Sequence, residues 1–410
     1  MIRSAFLALA SFAGTLAASP QGKENSLRQT GPNSPAAAAP APPNPGGSGH
    51  LAFAVSEGVR IPVAVVRGSP YQMGFHLGRL LADRMQSFIP RAMAGITAEM
   101  KSSTDALRDL WGRSAAWGDD RVEQELAGLS DGSGLPLGLL QAMHAVPLAM
   151  PYSCSSIAAW GPATPDGHLR QTRNLDWNLE VGAHEFPVIT VYLPDKGVPH
   201  AVPSFAGMIG AHTGLNARGI ALSEMGDSPA REMPYDSLAP HFTVWFRSML
   251  YDAENLDSAL SIFRSQRLTK RYHFVFGSGA ENSRGAVKIR AHAPEPEPER
   301  VRIWKDNDPA DELAPQVLPG VVYQDEGRGA FPFLRDQHGK LDSAALRDIA
   351  CRIPIKGGNV VNVVYDATSL ELWVTYAGNG REAYERPWVH LNLRTLDANQ
   401  NGQPDLAESR

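Results

Sequence analysis

In the first part of the chain, the pattern of hydrophobic and polar positions predicts a strand followed by helices. Ile61–Val66 is an almost continuous apolar run, which is typical of a buried strand. After Gly68-Ser69-Pro70, apolar residues recur three and four positions apart at Met73, Leu77, Leu80, Leu81 and Met85. This spacing predicts a helix that begins near Ser69. Leu137–Ala145 is a further helical segment.

From about residue 186 onward, the pattern becomes rich in strands. Two helices interrupt it, at Phe242–Leu250 and Ser258–Ser265. The predicted strands are Phe186–Leu193, Phe205–Gly210, Gly214–Leu222 with an Asn-x-x-Gly turn inside it, Tyr272–Gly277, Gly285–Arg290, Asn359–Asp366 and Leu370–Tyr376. Periodicity alone therefore indicates an α+β protein.

The two ends of the chain differ from this pattern. Residues 1–18 have one arginine, an apolar stretch and small residues, which indicates a secretory signal peptide. Residues 19–50 are rich in Pro, Ala and Gly and read as a solvated linker. No later run of 18 apolar residues exists, so a transmembrane segment is not expected. The protein is expected to be secreted or periplasmic.

The net charge and the cysteine content of the chain limit its partners and its covalent links. Among 410 residues the formal net charge is −5 and there is no basic run, which argues against nucleic acid as a partner. The chain has two cysteines, Cys154 and Cys351. A disulfide is one interpretation for an exported protein. The other is that Cys351, which follows a helical pattern at 341–346, is a small buried apolar residue.

The segment Tyr152–Trp177 carries the candidate chemistry. Cys154 begins a predicted strand, an Asp-Gly turn follows at Asp166-Gly167, and a second strand ends in Arg173-Asn174-Leu175-Asp176. A hairpin of this kind folds Arg173 and Asp176 back towards Cys154. A neighbouring cation favours the thiolate, so Arg173 is a candidate to activate the thiol. Asp176 is a candidate to orient a base or hold an ammonium.

These residues resemble a known family. Cys-Ser-Ser, the Asp-Gly turn and Arg-Asn-Leu-Asp look like the N-terminal-nucleophile hydrolases of the choloylglycine hydrolase and penicillin (isopenicillin N) acyltransferase group. The phrases RGSPYQMGFHLGRLL and GLNARGIALSEM and the hairpin at 359–376 are also similar to that family. The resemblance covers roughly Ile61–Leu391. It implies a four-layer αββα sandwich.

The resemblance also implies self-processing. The chain would cut itself between Ser153 and Cys154, so that residues 51–153 become an α chain or propeptide and residues 154–391 the catalytic β chain, with the two remaining associated. Cys154 would be the nucleophile and its new α-amine the base, because an α-amine titrates near neutral pH. Arg173 would polarise the thiol and Asp176 would hold the amine. No cofactor would be required for catalysis.

The resemblance leaves three candidates open for the oxyanion donors. An ungapped match maps a backbone N–H donor near Met225. Bile-salt hydrolases carry a downstream asparagine, for which His273 and Asn282 are both candidates. They also carry an arginine near the end of the last hairpin, where this chain has Thr375. Both differences point away from bile salts as substrates.

The tail at 392–410 has a second pattern. Carboxylate and amide side chains alternate at Asp397, Asn399, Asn401, Asp405 and Glu408, with Gly402 at the sixth position. This fits a calcium loop. Pro404 replaces the usual branched residue, and no helix follows Glu408, so a flexible polar tail is the alternative.

The sequence therefore predicts an autoproteolytic amide hydrolase or acyltransferase. It would act on linear carbon–nitrogen amide bonds of acyl-amide substrates, with the acyl chain lying against apolar segments such as Phe205–Ile209. A non-enzymatic exported binding module on the same fold is the rival hypothesis. A papain-like protease is a poorer match, because Cys154 begins a strand and not a helix.

Overall fold

The computed structural model describes residues 44–149, 152–226, 236, 238–292, 300–311, 314 and 316–407. Within them, fifteen strands form two sheets. The larger sheet contains, in spatial order, β1 (Ser48–Ser56), β2 (Val59–Gly68), β5 (Pro187–Pro194), β6 (His200–Phe205), β7 (Thr213–Asn216), β8 (Ile220–Gly226), β9 (Tyr272–Ser278), β10 (Gly285–Ala291) and β11 (Val301–Trp304). The smaller contains β12 (Val321–Gln324), β3 (Ser153–Gly161), β4 (Gly167–Asp176), β13 (Asn359–Asp366), β14 (Glu371–Tyr376) and β15 (Val389–Asn392).

The helices form the outer layers. They are α1 (Pro70–Met100), α2 (Thr104–Ala115), α3 (Asp120–Ser133), α4 (Leu137–Ala149), α5 (Phe242–Asp252), α6 (Leu256–Ser265), α7 (Ala330–Asp336) and α8 (Ser343–Arg352). Helices α1, α5 and α6 contact the larger sheet, and α8 contacts β4 and β13 of the smaller one. The two sheets face each other, with Gln171 Nε2 of β4 donating to Ser223 Oγ of β8 at 2.8 Å. The expected αββα layering is confirmed.

Most predicted elements are also confirmed. Ser69 caps α1 in a reciprocal capping box with Gln72, with Pro70 as the first helical residue. The β3–β4 hairpin forms around the Asp-Gly turn. Cys351 lies on α8, and both cysteines are free, so the disulfide interpretation is wrong.

Two boundaries differ from prediction. The strand predicted at Phe205–Gly210 is wrong, because β6 ends at Phe205 and the chain then turns. Gly207 takes a φ of +84° there, which a strand does not use and which glycine accepts without strain. In addition, β1 begins at Ser48, inside the predicted linker. The rest of the linker up to residue 43, and the signal segment, lie outside the described residues.

One strand pairing ties the N-terminal segment to the rest. β2 pairs in parallel with β5, whereas the other pairings in both sheets are antiparallel among the described strands. Residues before Cys154 therefore supply two strands of the larger sheet. No helix among the residues that the structure describes is long and apolar enough to cross a membrane.

Helices α1 and α3 meet through glycines. Gly74 and Gly78 of α1 face Gly128 and Gly132 of α3 across a backbone-to-backbone contact. A Cβ added at Gly74 would lie 2.0 Å from the carbonyl oxygen of Glu125. This distance is far below any real contact, so the approach of the two helices requires glycine.

We expect Gly74→Ala to destabilise the protein by about 1–3 kcal/mol or more, because the helices must separate. Gly95→Ala in the same helix is the matched control, since no atom lies within 4 Å of its added Cβ. It should be neutral or stabilising by up to about 1 kcal/mol. Urea denaturation measures both. Equal midpoints for the two variants would contradict glycine-dependent packing.

Candidate active site

Cys154 lies at the start of β3, one residue after the strand begins. Its antiparallel partner in β4 is Leu175, and Ser153 pairs with Asp176. The thiol is fully buried between the two sheets. The hairpin register therefore sets Asp176 directly opposite the residue that precedes Cys154.

Arg173 contacts the thiol. Its Nη2 atom is 3.0 Å from Cys154 Sγ, and the side chain is only 1% exposed. The buried carboxylate of Glu224, on β8, has its Oε2 atom 3.8 Å from the same Nη2. Nε and Nη1 of Arg173 have no hydrogen-bond partner among the described residues. The guanidinium thus has donors left for a further group.

Asp176 lies in a network that the sequence did not indicate. Arg328 Nη1 is 2.9 Å from Asp176 Oδ2, and Asn359 Nδ2 donates to Asp176 Oδ1 at 2.9 Å. Arg328 Nη2 also donates to Ser153 Oγ at 2.6 Å and to the carbonyl oxygen of Cys154 at 3.3 Å. Arg328 therefore binds both sides of the predicted cleavage site and its facing carboxylate.

The position of Arg328 explains why sequence reasoning missed it. It lies in a turn after β12, and β12 pairs with β3, with Gln324 opposite Ser156. Only this pairing brings it to Cys154, and the turn has no motif that would mark it. At the position where the sequence comparison looked for an arginine, Thr375 bonds the carbonyl oxygens of Ala383 and Arg386 instead.

The surroundings of Cys154 in the intact chain favour the neutral thiol. Burial raises the pKa of Cys154 well above its ordinary value; Arg173 lowers that pKa, and Glu224 and Asp176 raise it. Burial also raises the pKa of Asp176, against the lowering effect of Arg328 and Asn359. Because guanidinium and carboxylate charges are balanced around the sulfur, burial decides the outcome. Burial therefore disfavours a thiolate in the uncut site.

A small, partly open cavity lies beside this site, and we call it the Arg173 cavity. Its walls are mostly apolar and include Val146, Leu175, Trp177, Phe205, Met208 and Phe242. The polar side chains on its lining include Arg173, Tyr152, His144, His212 and His241. The lining by Phe205 and Met208 agrees with the prediction for this segment, although it is a turn.

Two of the three oxyanion candidates lie near Cys154. Met225 and His273 are partners across β8 and β9, and both are buried. Met225 follows Glu224, whose carboxylate faces Arg173. These two positions therefore belong to the same end of the sheets as the thiol.

Asn282 is the exception. It lies exposed in the β9–β10 turn, and the neighbouring Arg284 donates to the carbonyl oxygen of Gly167 at 3.4 Å. Gly167 is at the far end of the β3–β4 hairpin, roughly 26 Å along the strand from the Cys154 pair. Asn282 therefore cannot serve as an oxyanion donor to Cys154 in this fold.

The described part of the tail forms a tight loop. Asp397 accepts hydrogen bonds from the N–H groups of Asn401 and Gly402, and the Asn399 side chain also accepts from Asn401. Asp405 is buried and its Oδ2 atom accepts from the N–H of Ala398 at 2.8 Å. The oxygen donors suit a hard cation such as calcium. Glu408 lies outside the described residues.

No protein-family model matches this chain. Protein dcd1B of Dictyostelium discoideum is 28% identical over 295 residues, which are 65% of this chain and 56% of dcd1B, so the match spans little more than half of that relative. Protein dcd1A of the same organism is 23% identical over 396 residues, 82% of this chain and 86% of dcd1A.

Two solved structures similar to this chain are named as an amidase and an acylase. An N-acylethanolamine-hydrolyzing acid amidase ortholog from Caenorhabditis elegans has a TM-score of 0.41 and 14% identity, with 52% of this chain and 93% of that chain covered. Penicillin V acylase from Agrobacterium tumefaciens has a TM-score of 0.40 and 11% identity, with 61% and 89% covered.

Three buried histidines and one half-buried histidine are expected to make the fold sensitive to acid. Burial lowers the pKa of His144 to about 4, and it lowers the pKa values of His200, His212 and His241 well below 6.5. His144 shows why: its Nε2 accepts from the N–H of Ile209 at 3.0 Å, so that nitrogen has no room for a proton.

We expect the free energy of unfolding to fall as pH falls from about 6.5 to about 4. In this window the unfolded chain binds protons at these rings and the native state does not, which costs up to about 1.4 kcal/mol per pH unit for each ring. Urea denaturation at pH 7 and pH 5 measures the change. His144→Gln should reduce the slope of the free energy of unfolding against pH by up to the contribution of one bound proton. Unchanged midpoints at the two pH values would disprove this.

Calcium binding by the tail loop stays a prediction. We expect calcium to raise the melting temperature of the full chain and Asp397→Ala to abolish that rise, because the first ligand position is lost. Asp336→Ala, at an exposed site away from the tail, is the control. Identical melting curves with calcium and with a chelator would support the polar-tail alternative.

Proposed function

We propose that this protein is a self-processing cysteine amidohydrolase or acyltransferase of the N-terminal-nucleophile type, acting on linear C–N amide bonds. One observation carries the proposal: Arg173 Nη2 lies 3.0 Å from the buried Sγ of Cys154, and Ser153, the residue before Cys154, pairs with Asp176. A nucleophile, a polarising cation and a carboxylate for an ammonium are thereby within one hairpin.

The first step would be self-cleavage. Cys154 Sγ attacks the carbonyl carbon of Ser153, the C–N bond breaks, and the thiol proton passes to the Cys154 nitrogen. Water then hydrolyses the Ser153 thioester and returns a proton to sulfur. The products are a Ser153 carboxylate and a Cys154 α-amine. Arg328 supports this step, because it binds the side chain of Ser153 and the carbonyl of Cys154.

The second step would use the new amine as a base. It accepts the thiol proton, and the ammonium lies beside Asp176, which Arg328 and Asn359 hold in place. The thiolate attacks the substrate carbonyl, and the ammonium donates its proton to the leaving amine. Water, or an amine acceptor, then releases the acyl group from sulfur. The first outcome is hydrolysis and the second is acyl transfer.

The substrate class follows from the Arg173 cavity. Its apolar walls suit an acyl chain, and Arg173, which contacts Cys154 Sγ, is part of its lining. Met225 and His273 are the remaining candidates to stabilise the oxyanion. We include in the proposal that catalysis requires no cofactor and that the protein is exported.

The two chains would remain associated after the cut. Residues before Cys154 supply β1 and β2, which stay in the larger sheet through the β2–β5 pairing, and α1 is packed on that sheet. Breaking one peptide bond removes none of these contacts. The α chain is thus expected to stay as part of the mature protein.

We expect the purified protein to contain two fragments, the larger beginning Cys-Ser-Ser-Ile, as measured by intact mass and N-terminal sequencing. Cys154→Ala should stay whole and inactive, because it has no nucleophile. Cys351→Ala is the matched control and should be cut normally, since Cys351 lies on α8. Chromogenic acyl p-nitroanilides of several chain lengths measure activity.

Three results would each contradict a different part of the proposal. A single whole chain without amidase activity in all three proteins would favour the exported binding module. Amidase activity in an uncut chain would favour a papain-like mechanism. Equal rates for all acyl lengths would exclude the cavity as the acyl site.

A further inference from the structure

His241 lies in the wall of the Arg173 cavity with one nitrogen unused. It is the N-cap of α5, and its Nδ1 accepts from the N–H of Thr243 at 3.4 Å and lies 3.1 Å from Thr243 Oγ1. A neutral imidazole that accepts at Nδ1 has its hydrogen on Nε2. The cap therefore fixes Nε2–H as a donor.

This donor has no partner among the residues that the structure describes. The His241 side chain is only 1% exposed, so bulk water does not satisfy Nε2–H. Phe242, whose ring centre is 4.4 Å from that of His241, and the apolar cavity walls surround it. A buried donor without an acceptor is unfavourable, and proteins retain few of them. Because His241 lines the cavity, a group bound in the cavity is the candidate acceptor.

The ring is neutral across the working pH range. Burial, and then the charge of Lys270, lower the pKa of His241 well below its ordinary value. It consequently offers one N–H donor and no charge. A hydroxyl, carbonyl or ether oxygen satisfies such a donor without bringing an uncompensated charge into an apolar cavity.

We propose that His241 determines substrate specificity, its Nε2–H donating a hydrogen bond to an oxygen on the acyl part of the substrate. This inference rests on the proposed amidase function and names its substrate class: oxygen-bearing acyl amides in preference to plain alkyl ones. A plain chain offers this donor no acceptor, whereas an oxygen-bearing chain pairs it. We expect at least about a tenfold preference in kcat/KM.

The test compares octanoyl p-nitroanilide with the series of its monohydroxy-octanoyl isomers, using the full-length protein. At least one isomer should exceed the plain chain about tenfold in the wild type. His241→Asn should remove this preference, because asparagine keeps the N-cap acceptor but is too short to present the same donor. His390→Asn, at an exposed histidine, is the control and should keep the preference.

Binding separates this inference from the proposed function. Calorimetric titration of the wild type with octanoate and the hydroxyoctanoates needs no turnover. Selective binding that His241→Asn abolishes, without hydrolysis of any anilide, would support the inference and contradict the amidase. The inference would be overturned by equal rates or affinities across the series. It would also be overturned if no acid binds and no anilide is hydrolysed selectively. In either case, an ordered water would be the partner of His241.

Discussion

The contact between Arg173 and Cys154 is the constraint on which the rest of this structure depends. Taking a guanidinium out of water costs several kcal/mol unless other groups compensate it. Glu224 from the facing sheet supplies a carboxylate 3.8 Å away. The β3–β4 hairpin supplies the fixed geometry that sets Arg173 Nη2 on Sγ. The two-sheet sandwich is what encloses this pair, because one sheet carries the arginine and the other its counter-charge.

The same sandwich lets the chain be cut without coming apart. The peptide bond to be cut lies at the end of β3, where breaking it disturbs only one residue pair between β3 and β4. The N-terminal segment is held elsewhere, by the parallel β2–β5 pairing and by the glycine contact between α1 and α3. Stability and processing therefore rest on different residues, and a change at one is expected to have little effect on the other.

Local pattern predicted the α+β class, most of the elements and part of the site, whereas the four-layer sandwich was predicted by the family resemblance. The hairpin that joins Cys154, Arg173 and Asp176 is a short-range feature, so sequence spacing was sufficient to find it. Arg328 and Glu224 reach the thiol only through pairings between distant strands, which no local spacing encodes. Phe205–Gly210 was wrong as a strand because apolar residues that line a cavity look the same in sequence as those buried in a sheet. The prediction of Asn282 as an oxyanion donor was wrong, because the chemical type of a residue does not indicate which end of a hairpin it occupies.

Charge balance around the sulfur links processing to activity. In the intact chain two guanidiniums, Arg173 and Arg328, face two carboxylates, Glu224 and Asp176, and burial then raises the pKa of Cys154. Cleavage would add an amine at Cys154, which can carry a third positive charge beside Asp176. When this amine accepts the thiol proton, it becomes an ammonium next to the thiolate. Because water is largely excluded from the site, this neighbouring cation stabilises a thiolate that would be unfavourable as an isolated anion. Burial thus opposes a thiolate in the uncut site, and the amine that cleavage would produce offsets that effect.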